Sequence, residues 1–172
     1  GALGRDHNET SDPITPHLRA IDGMYPQDVT IEEAYSNGVT TAVICPGSAN
    51  IVGGKCSAIK LYGNRIDNMI LKEDVAMKVA FGENPKVHYG NKGKAPATRM
   101  GIAGMLRETL LKTIEYRDMK KEKKIPLNMK YEAMIPVVNG EMPIKVHAHR
   151  EDDIFTAIRI AKEFNLKMTM DH

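Results

Sequence analysis

Two short apolar runs near the C-terminus each close on a histidine, and this unit constrains the fold more than any other feature of the chain. Ile144-Lys145-Val146 leads into His147-Ala148-His149, and Leu166-Lys167-Met168-Thr169-Met170 leads into Asp171-His172. Between them, Asp152 to Phe164 is amphipathic at helical spacing. The pattern predicts strand, helix, strand, with a histidine at the carboxyl end of each strand. Parallel α/β folds place their chemistry at those strand ends. The sequence stops on His172, a residue of the predicted site, so the chain reads as a piece of something larger.

A chain of 172 residues, 42% hydrophobic and 27% charged, is long enough to bury a core and has an ordinary soluble composition. Its eleven methionines include Met77, Met105, Met134, Met168 and Met170 at core-type positions, where the flexible side chain packs adaptably. A net charge of +2 gives no argument for a nucleic-acid partner. The one basic run, Lys120-Lys121-Glu122-Lys123-Lys124, follows a helix, where the macrodipole favours cations. Cys45 and Cys56 make neither a disulfide framework nor a zinc-finger spacing, which suits a reducing cytoplasm. No stretch approaches a membrane span and no signal-peptide pattern opens the chain.

Residues 1–30 are polar and turn-rich and predict an irregular region. Thr30-Ile31-Glu32-Glu33 reads as a capping box and Gly38 as the stop of a short helix. Val39–Cys45 and Val75–Phe81 read as buried strands, and Ser57–Tyr62 as a further extended segment. Gly82–Pro96 reads as a long glycine-rich loop. Thr98 caps a long amphipathic helix with Met105, Leu106, Thr109, Leu110 and Thr113 near one face, and a shorter helix spans roughly Asn128–Val138. No linker divides residues 1–172. Buried-type strands alternating with helices predict an α/β fold with a parallel sheet, open or part of a barrel.

Alternate strand positions face opposite sides, so only one of His147 and His149 is expected to point inward as a metal ligand. Lys78 interrupts an apolar strand, where a lysine is costly unless paired, neutralised or modified. Carboxylated by carbon dioxide, it would bridge two metals; the plainer reading has it snorkel outward between helices. Glu83, at the end of the same strand, is a rival ligand. Pro46-Gly47-Ser48 and Gly53-Gly54-Lys55 lack the Walker spacing, and a sharp βα turn explains them better than phosphate binding. His7 sits in a polar segment that could line a site. His17 and His88 read as surface residues, and Asp6, Glu9 and Asp12 as a solvated loop.

The run VHAHREDDIFTAIRIAKEFNLKMTMDH resembles amidohydrolases related to imidazolonepropionase, and GVTTAVICPGSAN and VAMKVAFGENPK look like earlier strands and loops of that family. The resemblance implies a central segment of a metal-dependent (β/α)8 TIM barrel, flanking strands missing, that hydrolyses amide or cyclic amide C–N bonds. It implies His147 and His172 as metal ligands, His172 also touching the substrate carbonyl, and Lys78 as the lysine some members carboxylate, with Lys60 as an alternative. Divalent metal, zinc first, would lower the pKa of bound water and polarise the carbonyl. The family's first-strand HxH is absent, and its strand-eight aspartate, the general base, would lie downstream of His172. The chain is therefore expected to be inert alone, its parent acting on a small amide-type substrate. The other reading is a non-catalytic module that self-associates as a homo-oligomer through exposed sheet edges.

Overall fold

The computed structural model describes residues 6–171. A one-turn helix α1 (Ala20–Gly23) and a two-turn helix α2 (Val29–Ser36) precede strand β1 (Thr41–Ile44). Then come β2 (Val52–Lys60), β3 (Ile70–Ala80), α3 (Glu83–Gly90), α4 (Arg99–Glu122), α5 (Met129–Val138), β4 (Ile144–His147), α6 (Glu151–Glu163) and β5 (Met168–Asp171). The strands form one curled, half-barrel sheet in the order β1-β2-β3-β4-β5.

The sheet is mixed, which corrects the expectation of parallel strands throughout. β1 with β2 and β2 with β3 are antiparallel, whereas β3 with β4 and β4 with β5 are parallel. The cause is connection length. Residues 45–51 and 61–69 join the first three strands, and a parallel crossover needs about a dozen residues or more. Pro46-Gly47-Ser48 is accordingly a strand-to-strand turn and Gly53-Gly54-Lys55 lies within β2, so neither is a βα turn. From β3 onward helices intervene and the pairing becomes parallel, so the predicted strand-helix-strand unit forms as expected.

Helix ends follow the polar side chains beside them. Thr98 Oγ1 accepts a hydrogen bond from Gly101 N at 3.0 Å, and Asn128 Oδ1 accepts from Lys130 N at 3.1 Å. α2 is capped by Asp28, which accepts from Thr30 N at 3.0 Å, so the cap lies two residues before the Thr30 of the predicted box. Gly38, with φ +87°, ends that helix as expected. Residues 82–96 contain α3, contrary to the predicted loop. Proline at its third position is tolerated because the first-turn N–H groups have no intrahelical partner.

The main core lies between the sheet and helices α4, α5 and α6. Met77 and Val79 of β3 and Ile144 and Val146 of β4 pack there with Ile102, Leu106, Leu110, Met134, Val137 and Ile160. The α4 residues in this set are spaced by four, the period of one helix face. A second cluster, Ile59, Leu61 and Met69, packs with Met24 and with Ile31 and Ala34 of α2. Among the described residues, no helix is long and apolar enough to cross a membrane.

Candidate functional site

Strand alternation sorts the sheet's side chains by face. With Met77, Val79, Ile144 and Val146 committed to the helix-packed core, Lys78, Ala80, Lys145 and His147 fall on the opposite, concave face. The register sets Lys78 beside Lys145 and Ala80 beside His147. It continues into β5, with Thr169 beside Lys145 and Asp171 beside His147. Polar and basic side chains thus gather on one face of three adjacent parallel strands, toward their carboxyl ends.

Lys78 is 6% exposed. It does not snorkel between helices: it sits on the face away from them, and its Nζ donates to Ser48 Oγ at 3.1 Å. Burial lowers its proton affinity below the usual lysine range, against the pull of Cys45 and Asp171. Lys145 behaves oppositely. Its Nζ donates to Asp171 Oδ1 at 2.5 Å, and that hydrogen bond raises its pKa.

His147 is buried, 5% exposed, and its ring stands edge-on to that of His149 with centroids 4.4 Å apart. His149 is exposed, so of the pair it is His147 that belongs to the interior. Asn84 Nδ2 lies 3.1 Å from His147 Nε2. Contacts of its chain neighbours shape the turn that carries Asn84. Phe81 N donates to His147 O at 2.9 Å, tying the end of β3 to the end of β4. Gly82, at φ +77°, then turns the chain into α3. A Cβ on Gly82 would lie 2.3 Å from Asp153 Oδ2. Asp153 in turn accepts from Arg99 Nε at 2.9 Å, and Arg99 Nη2 donates to Glu83 Oε2 at 3.0 Å. Glu83, the rival ligand, is exposed and paired with Arg99 and Lys86. Lys60, the alternative to Lys78, is exposed at the far end of β2. His172 lies outside the described residues.

A buried network that the sequence did not announce anchors the loop after β1. Tyr89 Oη donates to Asn50 Oδ1 at 2.6 Å, and Asn50 Nδ2 donates to Glu9 O at 2.6 Å and to Thr15 Oγ1 at 2.9 Å. Burial raises the Tyr89 pKa to about 12, keeping it a donor. Asn8 Oδ1 accepts from Ala49 N at 3.0 Å, and Gly47 N donates to His7 O at 2.7 Å. The polar N-terminal segment is therefore not a solvated loop throughout. It fixes the turn that carries Ser48, and through Ser48 it touches Lys78. His17, expected at the surface, is half-buried.

A cavity of about 790 Å3 lies between the N-terminal segment, α1, α2 and β1, lined in part by His7, Asn8, Ile44, Cys45 and Pro46. Neither Lys78 nor His147 lines it, so we place the candidate site by side-chain chemistry and not by this cavity. Among the described residues no group of three or more His, Cys, Asp or Glu is placed to hold a metal. The donor types fit a metal, with a buried imidazole and an amine of lowered proton affinity on the same face of adjacent strands. Their number does not suffice within these residues alone.

No protein-family model matches the chain. It is 30% identical over 192 residues to amidohydrolase tasK of Hapsidospora irregularis, an alignment covering 97% of this chain and 20% of that protein. The crystal structure of an amidohydrolase from Thermotoga maritima MSB8 superposes with a TM-score of 0.94 at 43% identity, covering 97% of this chain and 45% of that one. The chain is similar in sequence and in fold to proteins named amidohydrolase, and it spans less than half the length of each.

Proposed function

We propose that this chain is the central part of a metal-dependent amidohydrolase, a TIM-barrel enzyme that hydrolyses an amide or cyclic amide C–N bond and is related to imidazolonepropionase. The observation that carries the reading is the burial of Lys78 and His147 on the concave face of adjacent parallel strands, in a chain whose fold matches an amidohydrolase so closely. A divalent metal, zinc first, would be held by His147, by His172 and by Lys78, with further ligands from outside the described residues. When bound, it supplies Lewis-acid activation of water and of the scissile carbonyl.

The chain's own residues prepare that role. Burial favours the neutral amine of Lys78, the form that adds carbon dioxide to become an anionic ligand. Asn84 fixes the ring plane of His147 through Nε2, as a supporting hydrogen bond orients a ligand imidazole. Lys145 holds the Asp171 carboxylate at 2.5 Å, at the described end of β5.

The test compares a longer polypeptide that includes this chain with the chain alone, against a panel of acyclic and cyclic amides, before and after chelation. Hydrolysis by the longer form only, lost on chelation and restored by zinc, is expected. Chelator-resistant hydrolysis would contradict the metal reading, and equal activity in the short chain would contradict its inertness. A second reading, self-association as a homo-oligomer, draws on β1 and β5, each with a single neighbour in the described sheet. Sedimentation of the chain as a monomer at high concentration would remove it.

A further inference from the structure

The register of β1 and β2 brings the chain's two cysteines face to face. Thr41 pairs with Lys60, Ala42 with Ile59, Val43 with Ala58 and Ile44 with Ser57, so the next step of the same antiparallel register is Cys45 opposite Cys56. The type of that pair follows from alternation. Leu61 N donates to Thr40 O at 2.9 Å, making Thr40–Leu61 a hydrogen-bonded pair. Counting along the ladder, Cys45–Cys56 falls on a non-hydrogen-bonded pair, the kind with the closer side chains. There the Cα atoms stand about 4.5 Å apart, inside the roughly 4.4–6.8 Å that a disulfide spans. Both cysteines are free thiols.

The two thiols differ in environment. Cys56 is fully buried, whereas Cys45 is half-buried and lines the cavity beside the N-terminal segment. Cys45 Sγ donates to Val43 O at 3.8 Å; the neighbouring Cys56 thiol and then Lys145 lower the Cys45 pKa, while Cys45 and burial raise that of Cys56. A partly exposed thiol in electropositive surroundings is the reactive kind, and a buried one is inert until its neighbour is oxidised.

We propose that Cys45 and Cys56 are a peroxide-responsive modification site, Cys45 attacking and Cys56 resolving, which closes a reversible cross-strand disulfide between β1 and β2. The Cys45 thiolate displaces hydroxide from hydrogen peroxide and becomes a sulfenic acid. The Cys56 sulfur then attacks that sulfur, the S–O bond breaks, and the oxygen leaves as water with the Cys56 proton. Two thiols lose two electrons together, and one peroxide is reduced to two waters. The crosslink would lock the turn that presents Ser48 to Lys78, so the site lies on the structural path to the concave face.

The experiment treats the folded protein with equimolar hydrogen peroxide, quenches and unfolds it, then counts thiols and maps peptides. Joint loss of both thiols, a Cys45–Cys56 linked peptide in the monomer and full recovery with dithiothreitol are expected. Cys56→Ser should leave a sulfenic acid on Cys45 that dimedone traps, and Cys45→Ser should slow oxidation of Cys56 at least tenfold. Two intact thiols in the treated wild-type protein would overturn the proposal, and so would linkage only between chains. The wild-type peptide map decides the matter even if a serine variant fails to fold.

Discussion

Replacing Lys78 with methionine should make the protein more stable. Lys78 is 6% exposed, and among the described residues its ammonium donates one hydrogen bond, to the half-buried Ser48 hydroxyl at 3.1 Å. Among the described residues no carboxylate lies within salt-bridge distance of it. A polar group buried with its hydrogen bonds incompletely replaced costs about 1–3 kcal/mol in proteins, and one lost hydrogen bond returns about 0.5–1.5 kcal/mol. Methionine keeps the unbranched stem, and Ser48 can turn to water. The difference favours Lys78→Met by about 1 kcal/mol, or a Tm higher by about 2–4 °C for a chain of this size. Because burial depresses the folded-state pKa below the unfolded value of 10.5, wild-type stability rises with pH between the two values, where only the unfolded chain holds the proton. The advantage of the variant should therefore shrink toward pH 10.5. Urea midpoints near neutrality and in the alkaline range measure both effects. A variant less stable by more than about 1 kcal/mol would refute the reasoning, since the ammonium would then be a structural partner and not a group retained for chemistry.

Lys145 should show the reverse slope. Its pKa is raised by Asp171, so the pair's stabilisation is present below pH 10.5 and is lost as pH climbs through the folded value; Lys145→Met should remove that alkaline loss, an effect of up to about 1 kcal/mol for this part-exposed pair, visible in urea midpoints against pH. Asp153→Asn should cost about 1–2 kcal/mol by removing the buried one of the two carboxylates that hold Arg99, Glu83 remaining, read from chemical unfolding; a change within 0.5 kcal/mol, the scatter of neutral surface substitutions, would contradict the pairing. Gly82→Ala should cost about 2 kcal/mol, because φ is +77° and the added Cβ would meet Asp153 Oδ2 at 2.3 Å, and an unchanged midpoint would show that the turn relaxes.

The C-terminal unit was legible because its signals are local. Apolar runs bound an amphipathic stretch, and polar caps stand at Thr98 and Asn128. The antiparallel half of the sheet was misread because an apolar run reads the same in either direction, and β1, expected to be buried, leaves Thr41 and Val43 exposed at the sheet edge. The short spans 45–51 and 61–69 were the available clue, since neither admits a crossover. Helix α3 was hidden by Pro85 and by its weak amphipathicity, with only Pro85 and Tyr89 buried. The Tyr89–Asn50–Thr15 network joins residues 39 and 35 positions apart, and no local pattern reports such a pairing. Of the site, the sequence singled out Lys78 and His147, and both are buried; the plainer reading of Lys78, snorkelling outward between helices, does not hold. It did not foresee Asn84 on the His147 ring, Lys145 on Asp171, or the opposition of Cys45 and Cys56, because each depends on register.

The most direct test of the central claim is the metal content of a longer polypeptide that includes this chain, by elemental analysis, with His147 intact and as His147→Ala. Near-stoichiometric zinc in the first, and a loss of at least tenfold in a folded variant, are what the account predicts. Equal metal in both would contradict His147 as a ligand, and no metal in either would contradict the metal-dependent reading itself.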